Sequence, residues 1–176
     1  MTLKPPLKIN FSTRNDTMKK AYNTSKTSQI PGARVAILQA KWHNEHTDKM
    51  VEACSRILKA AKCAVIEKHV VPGSYELPLA AKRLAKMKVY DAIVIFGAVV
   101  KGETDHYEVI LQTCIRELGR VMYDFEIPII MELMPVHDLK HLIARSTGKH
   151  NKGIEAAQAT IDIIRWTQDI GSRSRI

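Results

Sequence analysis

Cysteine is scarce in this 176-residue chain. Cys54, Cys63 and Cys114 stand apart, form no CxxC pair and follow no secretory hydrophobic segment. That spacing argues against a disulfide framework and for reduced packing thiols in a cytoplasmic compartment. Long hydrophobic runs are missing too: no apolar stretch approaches the ~20 residues of a bilayer span, so no membrane association is expected. Aromatic residues make up only 6% of the chain and do not interleave with basic ones in an RNP-like pattern. The net charge of +9, from 27 Lys and Arg against 18 Asp and Glu, therefore reads as a solvated basic surface rather than a nucleic-acid interface. Such a surface attracts small anionic substrates.

The length suits one domain with a single sizeable core. Residues 1–30 have no hydrophobic periodicity and are rich in Thr, Ser, Asn, Lys and Pro, with one short apolar patch at residues 9–11. They are expected to form a mobile extension, an arm able to touch a neighbouring subunit, ahead of a domain at 31–176. They are not Arg-rich, which argues against a transit peptide.

From Arg34 onward strand and helix patterns alternate. Strands are predicted at 35–39, 64–70, 90–100 and 127–133, and helices at 47–61, 76–87, 108–122, 136–145 and 153–170. The run Ala92-Ile93-Val94-Ile95-Phe96 is too continuously apolar for a strand with one wet face. Val109, Cys114, Leu118, Val121 and Met122 are expected on the inner side of the helix after it. This order predicts an α/β protein, a parallel sheet covered by helices on both faces, with ligands bound beyond the carboxyl ends of the strands.

The strand ends carry the chemistry-bearing residues. Lys41-Trp42-His43 follows the first strand, and Trp42 is an aromatic plate able either to stack on a flat heterocycle or simply to pack. Pro72-Gly73-Ser74-Tyr75-Glu76 follows the second; Glu76 could hold hydroxyls or ring N–H groups, although alone it reads as a first-turn acid favouring the helix dipole. After the third strand comes Gly97-Ala98-Val99-Val100-Lys101-Gly102-Glu103-Thr104-Asp105-His106. Gly102 permits close backbone approach, and the unpaired N–H groups of the next helix form an anion site. The plainer alternative is a connection in which Thr104 caps the helix and His106 is solvated. His137 and His141, with Asp138 between them on the expected helix, could hold zinc or nickel on one face, but no third ligand stands at a diagnostic spacing, so no metal is assigned.

Taken together, Trp42, the segment Pro72-Gly73-Ser74-Tyr75-Glu76-Leu77-Pro78, the glycine turn through Tyr107, and Asn151-Lys152-Gly153-Ile154-Glu155-Ala156-Ala157 resemble the 6,7-dimethyl-8-ribityllumazine synthase family over residues 33–170. The resemblance implies a flavodoxin-like three-layer α/β/α sandwich with a four-stranded parallel sheet. It also implies a reaction of riboflavin biosynthesis: 5-amino-6-(D-ribitylamino)uracil condenses with 3,4-dihydroxy-2-butanone 4-phosphate, releasing phosphate and water, with no cofactor. Trp42, Ser74, Tyr75, Glu76, Ala98, Val99, Val100 and Met131 would then hold the uracil and ribityl groups. Gly102, Glu103, Thr104, Arg145 and Lys152 would hold the butanone phosphate, with Glu155 supporting Lys152. His106 would transfer protons, a role imidazole fills near neutral pH.

The chain also departs from the family pattern. Met131-Glu132-Leu133-Met134-Pro135 stands where most members carry Phe-Gly-Val-Leu-Thr, so Met131 replaces an aromatic. The stretch between Arg145 and Lys152 is one residue shorter than usual. Trp42-His43 is similar to the second, divergent type, which implies a decamer of two pentamers rather than an icosahedral shell. Active sites would lie between subunits, one supplying Trp42, Glu76 and His106 and the next Met131, Arg145 and Lys152. Riboflavin synthase would be the pathway partner. Two other readings stand beside this one: an archaeal-type riboflavin synthase, and a flavin- or lumazine-binding paralogue with little catalysis.

Overall fold

Every residue from 92 to 98 is buried, which requires a strand covered on both faces. In the computed structural model, which describes residues 28–173, this strand is β3 (Ala92–Val100). It pairs in parallel with β1 (Arg34–Ala40) on one side and β4 (Ile129–Val136) on the other, and β2 (Val65–Val71) adds to β1. The order β2-β1-β3-β4 is that of a flavodoxin-like sheet.

Alternation along the strands sorts the core into two layers. Val35, Ile37, Val94, Phe96, Met134 and Val136 face helices α1 (Asn44–Ala60), α4 (Leu139–Ser146) and α5 (Lys152–Arg173). Ala36, Leu38, Ile93, Ile95 and Leu133 face α2 (Leu77–Met87) and α3 (His106–Phe125). Each fully buried aliphatic side chain contributes about 1.5–3 kcal/mol. The expected three-layer α/β/α architecture is the observed one.

Backbone contact locks α1 to α5. A Cβ on Gly153 would lie 2.0 Å from the Met50 carbonyl oxygen, so only glycine allows this approach. Just before it, Asn151 acts as the helix cap: its Oδ1 accepts from the Gly153 N–H at 2.8 Å. Its Nδ2 donates to the carbonyls of Ser146 (2.8 Å) and Lys49 (3.1 Å). One buried amide thus joins α1, the end of α4 and the start of α5.

Several expectations need correction. β4 does not stop at Leu133 but continues through Pro135 to Val136, because at a sheet edge one side of the backbone carries no ladder for proline to break. The next helix therefore starts at Leu139, not 136, and Asp138 is its N-cap, accepting from the Lys140 N–H at 2.9 Å. His137 and His141 consequently do not share a helix face. α3 begins at His106, earlier than expected, and Leu111 joins Cys114, Leu118 and Val121 on its buried side. Val109 and Met122, expected there, are exposed. α1 starts at Asn44 and β2 ends at Val71, while Ser74–Glu76 form a separate 3-10 turn before α2. The apolar patch at residues 9–11 lies outside the described residues. Ile30 is fully buried, and its N–H donates to the Ala61 carbonyl at 2.8 Å. Among the described residues no helix is long and apolar enough to cross a membrane.

Candidate functional site

The loops after β1, β2 and β3 converge on a pocket of about 380 Å³ above the carboxyl ends of those strands. This is the switch point of the sheet, where β1 leads outward to β2 and β3 lies on its other side, leaving a crevice for ligands. Trp42 and His43 come from the first loop, Gly73 to Glu76 from the second, Ala98 to Val100 from β3, and His106 and Ile110 from α3.

Trp42 is 70% exposed. Its large apolar ring sits at the pocket and is not buried in the core. The chain is held there by His43, which adopts left-handed backbone geometry (φ 61°) ahead of α1. Histidine tolerates that region better than most residues. Gly73 separates the plate from the acid: a Cβ there would lie 3.0 Å from Glu76 Oε2 and 3.5 Å from Trp42 Cδ1. Behind them, the buried Cys114 thiol donates to the Ser74 carbonyl at 3.2 Å, tying this loop to α3. Burial, reinforced by the Glu76 carboxylate, pushes that thiol's pKa up to about 11, so it stays protonated. Gly97 fixes the floor, because a Cβ there would come within 3.0 Å of Leu133.

The glycine turn opens directly onto α3. Lys101 through His106 are all exposed. The N-cap is Asp105, not Thr104, and no side chain caps the helix. The Asp105 carbonyl accepts from the N–H groups of Glu108 (3.0 Å) and Val109 (3.2 Å). The positive end of the helix dipole is directed at solvent beside His106, which lines the pocket. This arrangement can hold an anion and place an imidazole next to it.

A second pocket, of about 300 Å³, lies at the end of β4 and is lined by Glu132 to Pro135 with Arg145 and Lys152. Lys152 pairs with Glu155 one turn along α5. Burial raises the pKa of Glu132 to about 7, an effect that nearby Lys152 opposes and Glu155 adds to.

The expected site residues thus fall into two groups. Trp42, Ser74, Tyr75, Glu76, Ala98, Val99, Val100 and His106 share the first pocket. Gly102, Glu103 and Thr104 lie on the adjoining turn and do not line it. Arg145 and Lys152 share the second pocket, while Met131 lies exposed on β4, on the same face as Ile129 and Leu133. His137 stacks at a tilt on Tyr107, with ring centroids 6.1 Å apart. Among the described residues no three His, Cys, Asp or Glu side chains are grouped to hold a metal. Sequence reasoning missed two residues. Asn151 could have been found as a cap residue ahead of a helical pattern, and Glu132 as an acid inside an otherwise apolar strand.

Comparison with known proteins gives a consistent result. A sequence profile of 6,7-dimethyl-8-ribityllumazine synthase matches residues 32–168. A protein of that name from Ruthia magnifica is 32% identical over 168 residues, covering 89% of this chain and 99% of its own. One from Stenotrophomonas maltophilia K279a is 36% identical over 141 residues, covering 78% and 91%. One from Pyrococcus furiosus is 32% identical over 145 residues, covering 81% and 90%.

Proposed function

The chain belongs to the 6,7-dimethyl-8-ribityllumazine synthase family, and from that premise we propose how its residues divide the work. The family's reaction joins the 5-amino group of the ribitylaminouracil to the butanone phosphate, expels phosphate, and closes the second ring with loss of water. The enzyme is a transferase of riboflavin biosynthesis.

In our reading Trp42 stacks on the pyrimidine, while Ser74, Tyr75 and Glu76 bind its polar edge and the ribityl hydroxyls. Backbone groups of Ala98, Val99 and Val100 complete this half. The phosphate end of the second substrate meets Gly102, Glu103 and Thr104 at the α3 N-terminus, where amide donors and dipole favour an anion. His106, on the first turn of the same helix, carries protons between amine, carbonyl and leaving phosphate. Much of the acceleration comes from holding two reactive molecules in contact.

Members of this family form oligomers, and the finer arrangement belongs to our proposal. Met131, Arg145, Lys152 and the supporting Glu155 serve the first pocket of a neighbouring subunit, Arg145 gripping phosphate through its planar fork. We assign a decamer of two pentamers, a catalytic domain at 31–176 behind an extension at 1–30, and a cytoplasmic location that keeps the three thiols reduced. Riboflavin synthase consumes the product.

The observation that carries this reading is the single pocket joining Trp42, Glu76 and His106 at the carboxyl ends of the strands. The test is lumazine formation from the two substrates, followed by absorbance against the uncatalysed background. His106→Ala is expected to lower kcat by about a hundred- to ten-thousandfold without abolishing turnover. Arg145→Ala is expected to raise KM for the butanone phosphate. Wild-type product formation no faster than background would overturn the reading.

A further inference from the structure

Glu132 places a carboxylate on the wall of the pocket that holds Arg145 and Lys152. Glu132 is the only acid among the described residues lining that pocket. Its position on β4 aligns with Phe96 of β3 and, beyond it, Gln39 of β1. On the adjacent strand, therefore, Glu132 meets a fully buried aromatic ring rather than a polar partner. The titratable and charged groups facing it are Lys152 and Glu155 from α5, Arg145 from α4 and the buried Cys54 thiol from α1. Lys152 is already paired with Glu155. Among the described residues neither cation forms a hydrogen bond or ion pair with Glu132.

We propose that Glu132 is a specificity-determining residue of this pocket, leaving the charges of Arg145 and Lys152 available to a phosphorylated substrate when protonated and opposing that substrate when ionised. The proposal rests on the reading that this pocket receives the phosphate end of the butanone phosphate. Its physical basis is simple. Protonated, Glu132 leaves Arg145, Lys152 and its partner Glu155 with one net positive charge toward a dianion; ionised, it cancels that charge from behind a low-dielectric wall, and its repulsion is poorly screened. Because burial shifts its titration to about pH 7, the change falls in the physiological range. A phosphate monoester is already largely dianionic there, its second pKa being about 6, so the substrate's own titration ends as that of Glu132 proceeds.

The experiment measures KM for the butanone phosphate and Ki for inorganic phosphate from pH 6 to 8.5, on the full-length assembled protein and its Glu132→Gln and Glu132→Asp variants. The ratio of wild-type KM to that of Glu132→Gln is expected to start near one at pH 6 and rise roughly three- to tenfold by pH 8.5, the size of a partly screened charge contact. Ki should follow the same curve and kcat should not. Glu132→Asp restores a pH-dependent ratio, with its midpoint displaced. Parallel KM profiles in wild type and Glu132→Gln would refute the proposal. Lys152→Met separates the two levels: if it leaves KM and Ki unchanged, the pocket does not receive phosphate, and the underlying reading fails as well. If it raises them while the Glu132 ratio stays flat, only the role of Glu132 is lost.

Discussion

Replacing Glu132 by glutamine should change the pH dependence of stability, apart from any effect on catalysis. In the folded protein burial raises the Glu132 pKa from the usual 4.5 to about 7, despite the opposing charge of Lys152. Between those values the folded state holds a proton that the unfolded state has released, so stability falls as pH rises. The loss is absent below pH 4.5 and complete above about pH 7. At about 1.4 kcal/mol per pH unit the interval corresponds to about 3 kcal/mol, an upper bound because Glu132 keeps part of its surface in water. Glutamine preserves the shape and does not titrate. The variant should therefore match wild type near pH 4.5 and exceed it by about 2–3 kcal/mol at pH 8.5, or roughly 5–10 °C in Tm. Urea unfolding across that range, at one fixed protomer concentration because assembly contributes to stability, reads the difference. A difference independent of pH would refute the argument. So would a wild type that is the more stable at pH 8.5, since pairing with Lys152 would then exceed the cost of burial.

Gly153→Ala is expected to destabilise by about 3 kcal/mol or more, because its Cβ would meet the backbone of Met50 at 2.0 Å and force α5 away from α1. A lowered urea midpoint with weakened α1 and α5 amide protection would check this. Asn151→Ala removes a cap and two further hydrogen bonds, one buried and one partly buried, at a cost of about 2–4 kcal/mol, and should also raise KM for the phosphorylated substrate by displacing Lys152. Tm and steady-state kinetics read the two effects. Trp42→Ala should leave Tm within about 1 °C, since the side chain is 70% exposed, yet weaken ribitylaminouracil binding by roughly ten- to a hundredfold, measured by calorimetry.

The features legible in the sequence are those whose cause is local. A run such as Ala92 to Phe96 declares a strand buried on both faces whatever surrounds it, and β3 lies at the centre of the sheet. Pro72-Gly73 and Gly102 mark strand ends by backbone chemistry; Ser74 to Glu76 beyond the first and His106 beyond the second line one pocket, while Glu103 and Thr104 do not. What escaped depends on distant partners. Asn151 bonds to Lys49, 102 residues away, and no window of sequence reveals that contact. The fourth helix starts later than its pattern predicts because proline ends most strands, and only the position of β4 at the sheet edge permits Pro135. Val109 and Met122 are exposed although their spacing predicts burial, because hydrophobic spacing identifies an apolar stripe without saying what covers it.

Met131 and Glu132 bring the two kinds of information together. The family resemblance marks Met131, in the place of an aromatic ring, and assigns no role to the acid beside it. In a strand, adjacent side chains point to opposite faces. Met131 lies with Ile129 and Leu133 on the α3 side, and Glu132 with Met134 and Val136 on the α5 side, next to Lys152. Two neighbouring residues therefore address different surfaces, Met131 an exposed one and Glu132 the chain's own basic pocket. Restoring the aromatic alone, as Met131→Phe, should tighten binding of the flat substrate and leave the pH dependence of phosphate binding unchanged. A shift of both by that one substitution would mean the strand's two faces are not independent.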